Sequence, residues 1–233
     1  MKWSQAEDEL LMVLRSSNVA YKDKVKHFEG RTQDALRNRM NYLRNLGHAE
    51  TEKEERLGVI DIETSNLKAD IGWMLSWAIY YPDTGETKWD VIKKKEISNF
   101  TTDLRISKSM LKELENVDVL VTYYGTGFDI PYMRTRCIMN GLDFPIYGEK
   151  RHKDCYYMAK NKVATHRKSL KAISEMLGIP GKTPVPIAIW RLAMLGHVES
   201  LEYVLEHNIA DVEVTYKTYN ALKKFAKHGY KSM

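Results

Sequence analysis

The chain has 233 residues, of which 43% are hydrophobic and 29% charged, a composition that fits one ordinary globular domain plus a small one. No apolar stretch approaches the roughly 20 residues of a membrane span. Acidic residues follow Met1-Lys2-Trp3-Ser4-Gln5, so we expect a cytoplasmic protein without a secretory signal. Cys137 and Cys155 lie far apart, which indicates free thiols in a reducing compartment.

The net charge of +5 is unevenly distributed along the chain. Residues 21–44 carry seven lysines and arginines against three acids, and no acid follows Glu213. Basic stretches near both ends are typical of proteins that bind a polyanion. For the C-terminal stretch alone, a solvated helix face is the preferred explanation.

The first 46 residues predict three short helices. Ser4 and Glu7 form a capping box at the start of the first helix. A second helix is predicted from Tyr21 to Phe28 and ends at Gly30, and Thr32 caps the third. The apolar residues of the first and third helices share helical spacing. They are Leu10, Leu11, Leu14, Ala35, Leu36, Met40 and Leu43.

This segment also carries a set of residues typical of one DNA-binding fold. They are Trp3-Ser4, Glu7-Asp8, Tyr21, Gly30-Arg31-Thr32 and Ala35-Leu36-Arg37-Asn38-Arg39. With this set, residues 1–46 resemble the Myb/SANT repeat, a small three-helix domain of the helix-turn-helix type. The resemblance implies that the third helix lies in the major groove of duplex DNA and that Arg31, Arg37 and Asn38 contact the DNA. A protein-contact module and a packing appendage are the alternatives.

Residues 47–56 are charged and contain few apolar side chains. We expect a linker, or an extended helix end, between the first domain and a second domain over residues 57–233.

The second domain is predicted to have an α/β fold. Strands are predicted from Leu57 onward and over residues 72–81, 87–92 and 118–124. Helices are predicted over residues 107–115, 131–140, 169–177 and 201–225. Early antiparallel strands followed by alternating strands and helices predict a mixed sheet.

Asp61 and Glu63 stand two residues apart on the first predicted strand, so their side chains point to the same face. Adjacent carboxylates repel each other unless a cation lies between them. The pattern therefore favours a divalent ion with oxygen ligands, such as Mg²⁺ or Mn²⁺. A surface strand with two solvated acids is the alternative.

Two further acids follow downstream. Asp129 lies just after a buried strand and at the entry to a helix, where α/β proteins build their sites, although a helix cap explains it as well. His207 and Asp211 are four residues apart on the last predicted helix and so share one face. A surface ion pair is the alternative for these two.

The order Asp61-Ile62-Glu63, then Gly127-Phe128-Asp129, then Asp211 resembles the DEDD superfamily of 3′→5′ exonucleases. The likeness is closest to the proofreading exonuclease domain of family B DNA polymerases and its stand-alone relatives. His152-x-Asp154 also matches the stand-alone enzymes, whereas Tyr124-Gly125 stands where that family has an asparagine. The resemblance implies an RNase H-like fold, with a mixed five-stranded sheet flanked by helices.

The same resemblance implies a 3′→5′ exonuclease that hydrolyses DNA, at single-stranded 3′ ends. The four carboxylates would hold two ions of Mg²⁺ or Mn²⁺ roughly 4 Å apart. His207 would orient or deprotonate the attacking water, and Leu67 and Tyr132 would contact the terminal nucleotide. An exoribonuclease with RNA as its substrate, or a DNA-binding adaptor without catalytic activity, are the alternatives.

Overall fold

The structure is a computed structural model that describes residues 3–15, 21–50, 55–99, 101–181, 184–226 and 231–232. The chain forms two compact units, Met1–Glu54 and Glu55–Met233. Each unit has a hydrophobic core of its own.

The first unit contains the three expected helices, of which the second is shorter than predicted. They are α1 Gln5–Arg15, α2 Tyr21–Lys24 and α3 Gln33–Glu50, and a 3-10 turn, Val25–His27, extends α2. The capping box is present, since the Ser4 N–H donates to Glu7 Oε2 (2.8 Å) and the Glu7 N–H donates to Ser4 Oγ (3.2 Å). The core of this unit consists of Leu11, Phe28, Leu36 and Met40, with Trp3 packed against it.

Helix α3 continues to Glu50, which covers the first part of the stretch expected to be a linker. Residues 47–50 therefore form an extended helix end, one of the two forms expected for this stretch. Residues 51–54 lie outside the described part of the chain.

The second unit is built on a mixed sheet. Its strands are β1 Leu57–Thr64, β2 Met74–Tyr81, β3 Glu86–Val91, β4 Val119–Thr122, β5 Arg151–Asp154 and β6 Lys231–Ser232. Their order across the sheet is β3-β2-β1-β4-β5-β6. Strand β1 pairs antiparallel with β2 and parallel with β4, and β4 pairs parallel with β5. The expected five-stranded mixed sheet is confirmed, and the two-residue β6 adds a short antiparallel edge.

Helices flank this sheet. They are α4 Lys94–Ser98, α5 Leu104–Glu115, α6 Asp129–Met139, α7 Cys155–Lys162, α8 Leu170–Met176, α9 Ile187–Met194 and α10 Val198–Leu222. A 3-10 turn, Lys223–Phe225, ends α10. Strand β5 and helices α4, α7 and α9 were not among the elements predicted from periodicity.

The alternation of side chains along β1 determines where its acids point. Ile60 and Ile62 belong to a core cluster that includes Met133 of α6, whereas Val59 belongs to a second cluster with Val212 of α10. Asp61 and Glu63 share the face of Val59 because residues two apart on a strand point to one side. The two acids therefore face helix α10.

Cys137 and Cys155 are buried free thiols, as expected. Among the helices of the described residues, none is long and apolar enough to span a membrane.

Candidate active site

The four carboxylates that the motifs single out line one open cavity of about 280 Å³, together with His207. Asp61 and Glu63 come from β1, Asp129 from the start of α6, and Asp211 from α10. The remaining lining residues are Ile62, Tyr123, Tyr124, Phe128 and Trp190. The motifs thus converge in space although they are far apart in the sequence.

Asp129 is the most deeply buried of these acids, with 3% of its surface exposed. Its Oδ1 accepts a hydrogen bond from the Ile62 N–H of β1 (3.3 Å), which joins the start of α6 to the strand that carries the other two acids. Burial raises the pKa of Asp129 to about 7, and the negative charge of Asp154 acts in the same direction. The carboxylate thus links two parts of the site.

Asp154 fixes the loop between β4 and α6. Its carboxylate accepts hydrogen bonds from the backbone N–H groups of Tyr124 (2.8 Å), Thr126 (2.9 Å) and Tyr156 (3.0 Å). The last of these caps the N-terminus of α7. One side chain at the end of β5 therefore positions the loop that leads into Asp129.

His207 lies between two of the carboxylates. Its Nε2 is 3.6 Å from Glu63 Oε1 and 3.7 Å from Asp211 Oδ2. The side chains of His207 and Asp211 are only 10% and 5% exposed, so the alternative of a surface ion pair is wrong. The spacing of four residues on α10 instead directs both side chains into the cavity.

Asn208 is a further candidate site residue, and no motif in the sequence singles it out. It is fully buried, and its Nδ2 donates to Asp61 Oδ2 at 3.4 Å. One turn of α10 therefore reaches both acids of β1, through His207 to Glu63 and through Asn208 to Asp61. The available signal was its place between His207 and Asp211 on a helix already assigned to the site.

The donor set fits divalent cations. Ligand atoms of Glu63, His207 and Asp211 lie within 4.8 Å of one another, close to the span of about 3–4.4 Å expected for ligands around a single ion. Asp61 and Asp129 add further carboxylate oxygens beside them. None of the described side chains that line the cavity is a lysine or an arginine. Clustered acids of this kind are stabilised by a cation, and hard oxygen donors suit Mg²⁺ or Mn²⁺.

The two residues expected to contact the terminal nucleotide differ in their accessibility. Leu67 lies on the bend after β1 and is 78% exposed, so it is available for such a contact. Tyr132 is buried in the core, with its ring 5.5 Å from that of Phe128. Because its ring is covered by other side chains, the expectation that Tyr132 stacks on a base is wrong.

The residues of the first unit that were expected to contact DNA also differ in their accessibility. Arg31 pairs with Glu7 (2.9 Å), and its guanidinium lies 4.2 Å from the ring centroid of Trp3. Its side chain is 7% exposed, so Arg31 stabilises this unit rather than contacting DNA, and that expectation is corrected. Arg37 and Asn38 are exposed on α3.

Comparison with known proteins places this arrangement in a family. The family model of the RNase H superfamily matches residues 59–223, which include most of β1, the strands β2–β5 and the helix α10. The chain therefore belongs to the RNase H superfamily. The Myb/SANT resemblance lies outside the matched residues and stays a prediction.

The chain is also similar to DNA polymerases. A DNA polymerase of Thermococcus hydrothermalis is 26% identical over 204 residues, which cover 76% of this chain and 12% of the polymerase. A DNA polymerase of Thermococcus sp. (strain 9oN-7) is 24% identical over 204 residues, with 76% and 26% covered. This chain thus spans about a quarter or less of the length of these relatives.

A solved structure shares the fold. The family B DNA polymerase from the hyperthermophilic archaeon Pyrobaculum calidifontis superposes on this chain with a TM-score of 0.60 and 18% identity. The superposition covers 73% of this chain and 25% of the polymerase chain. The expected likeness to family B DNA polymerases is confirmed at the level of sequence similarity and fold.

Proposed function

We propose that this protein is a metal-dependent 3′→5′ exonuclease that removes nucleotides from single-stranded 3′ ends of DNA. The observation that carries the proposal is the convergence of four carboxylates and His207 in one open cavity of an RNase H-like fold. Hydrolysis of a phosphodiester requires charge neutralisation and a positioned water, and this donor set suits both. Similarity to DNA polymerases supports DNA as the substrate.

Each side chain of the cavity has a role in this reaction. Asp61, Glu63, Asp129 and Asp211 would hold two ions of Mg²⁺ or Mn²⁺. When bound, the ions supply positive charge for the phosphoryl oxygens and the leaving 3′ oxygen, and they increase the acidity of water. Asn208 orients the Asp61 carboxylate through its hydrogen bond of 3.4 Å.

His207 acts on the attacking water. Its Nε2 lies between the carboxylates of Glu63 and Asp211, two of the residues that would hold the ions. A neutral imidazole accepts a proton near pH 7. The water then attacks phosphorus in line with the leaving 3′ oxygen, and a nucleoside 5′-monophosphate is released.

The first unit provides a tether to duplex DNA in this proposal. Helix α3 exposes Arg37 and Asn38, whose side chains are suited to hydrogen bonds with base edges. Asp34 lies 3.3 Å from Arg37 and limits how closely a phosphate approaches. Joining a DNA-binding unit to the nuclease unit raises the local concentration of DNA ends.

The test uses 5′-labelled and 3′-labelled single-stranded DNA, and RNA of the same sequence, with Mg²⁺ or Mn²⁺. We expect a ladder that shortens from the 3′ end of 5′-labelled DNA and an immediate loss of the 3′ label. Asp61→Asn and Asp211→Asn should abolish both. Glu202→Gln is the matched control, because Glu202 is an exposed acid on α10 and does not line the cavity.

Two results would contradict the proposal. Faster hydrolysis of RNA than of DNA would identify an exoribonuclease. No cleavage of any substrate, together with binding to duplex DNA, would identify an adaptor that has no catalytic activity.

A further inference from the structure

Tyr124 has a backbone conformation that tyrosine rarely adopts. Its φ is +68°, and among the described residues Thr102 is the other non-glycine residue with a positive φ. A bulky side chain is disfavoured in this region, so the surrounding structure has to impose it, and such residues cluster at binding and catalytic sites. Asp154 imposes it here, because its carboxylate binds the N–H groups of Tyr124 and Thr126.

Tyr124 lines the same cavity as the four carboxylates, and its ring is held in place by its neighbours. It packs edge-on against the ring of Tyr156, with centroids 4.8 Å apart and an interplanar angle of 70°. Gly127 gives it room, since a Cβ at that position would lie 2.5 Å from Tyr124 Cζ. Despite these contacts, 44% of the Tyr124 surface stays exposed.

These features differ from those of a tyrosine that fills a core. A core tyrosine is covered, as Tyr132 is at 3% exposure, and needs no strained backbone. Tyr124 combines a fixed ring orientation with a partly exposed side chain, and it lines the cavity of the acids. Aromatic rings presented in this way bind nucleobases of any sequence by stacking.

We propose that Tyr124 forms a nucleobase-binding subsite, in which its ring stacks on a base at the 3′ end of a single strand. This inference rests on the proposed function, because the strand has to enter the cavity for the ring to meet a base. The subsite orients the terminal nucleotides relative to the carboxylates. Tyr124 is therefore a substrate-binding residue.

Two substitutions distinguish the contribution of the Tyr124 ring from that of its hydroxyl and its backbone conformation. Asparagine tolerates a positive φ, so Tyr124→Asn removes the ring and relieves the backbone. Tyr124→Phe keeps the ring and removes only the hydroxyl. Tyr147→Ala is the matched control, since Tyr147 is 84% exposed and does not line the cavity.

The first measurement is the affinity for 5′-fluorescein-labelled single-stranded DNA by anisotropy, with Ca²⁺ in place of Mg²⁺. Loss of one stacked base weakens binding by about 5- to 150-fold. We expect this loss for Tyr124→Asn, with a thermal midpoint equal to or above that of the wild type. Tyr124→Phe and Tyr147→Ala should stay within about twofold of the wild type.

The second measurement uses the same strand with abasic sites at its last three positions. If the ring binds a base, wild type and Tyr124→Asn bind this abasic strand equally. The subsite is overturned if the wild type and Tyr124→Asn bind the normal strand with equal affinity. It is also overturned if Tyr124→Asn loses the same factor of affinity for the normal and the abasic strand. A wild-type protein that neither binds nor cleaves single strands overturns the proposed function itself.

Discussion

Replacing Asp129 by asparagine should stabilise the metal-free protein at alkaline pH while it abolishes hydrolysis. Asp129 is buried, and its pKa is about 7 in the folded chain against its usual value of 3.8. Between these two values the folded chain keeps a proton that the unfolded chain has lost, so the free energy of unfolding falls as the pH rises through this window. Above pH 7 the accumulated loss is at most about 4 kcal/mol.

Asparagine removes this penalty with little change in shape. Its amide oxygen can still accept the Ile62 N–H that Asp129 Oδ1 binds at 3.3 Å. Because the cavity is open, water screens part of the charge of the Asp129 carboxylate. We expect the free energy of unfolding of Asp129→Asn to exceed that of the wild type by about 1–4 kcal/mol at pH 8. The gain should shrink to less than about half of that at pH 5, where the folded wild type is protonated.

Urea unfolding of the full chain in EDTA, followed by tryptophan fluorescence, measures this effect. A gain of this size raises the urea midpoint by roughly 1 M. Adding Mg²⁺ at pH 8 should stabilise the wild type more than Asp129→Asn, since the cation replaces the proton. Glu202→Gln, which removes an exposed carboxylate of α10, should change the midpoint little at either pH. Lower stability of Asp129→Asn at pH 8, or a gain that does not depend on pH, would refute the reasoning.

Three further predictions concern other charged groups. Arg136→Met should lower the free energy of unfolding of the second unit, measured in urea, by about 3–5 kcal/mol. The reason is that buried Asp103, whose Oδ2 lies 2.8 Å from Arg136 Nε, loses its ion pair. The additional change Asp103→Asn should recover part of the lost stability. Arg37→Ala should weaken binding to duplex DNA at an unchanged thermal midpoint, whereas Arg31→Ala should lower that midpoint because Arg31 packs on the core of the first unit. His207→Ala should lower kcat by about 10²–10⁴ and leave stabilisation by Mn²⁺ in place, whereas loss of that stabilisation would make His207 a metal ligand instead.

The sequence predicts the site well where short spacings decide the geometry. The two-residue spacing of Asp61 and Glu63 places both acids on one face of β1, and the four-residue spacing of His207 and Asp211 does the same on α10. These periodicities are properties of the backbone and hold in any tertiary context. That the two elements face each other came from the resemblance rather than from periodicity.

Other features depend on contacts that no local pattern records. Strand β5 has the sequence Arg151-His152-Lys153-Asp154, which lacks the apolar alternation of a half-buried strand. It is a strand because β4 and β6 pair with it and because His152 Nε2 lies 2.8 Å from Thr122 Oγ1. The burial of Tyr132 does not follow from the sequence, because spacing does not show which face of α6 meets the core.

Assembly of the cavity depends on contacts between α10 and a strand far from it in the sequence. Asn208 of α10 and Asp61 of β1 are in contact although they are 147 positions apart in the chain. Contacts of such separation form late, after local structure has already appeared. Asp61 and Glu63 are neighbours on β1 from the start, whereas Asp211 and His207 join them only when α10 docks. A chain that has not docked this helix lacks Asp211 and His207 at the cavity, so the candidate site is complete only once the longest helix of the second unit is in place.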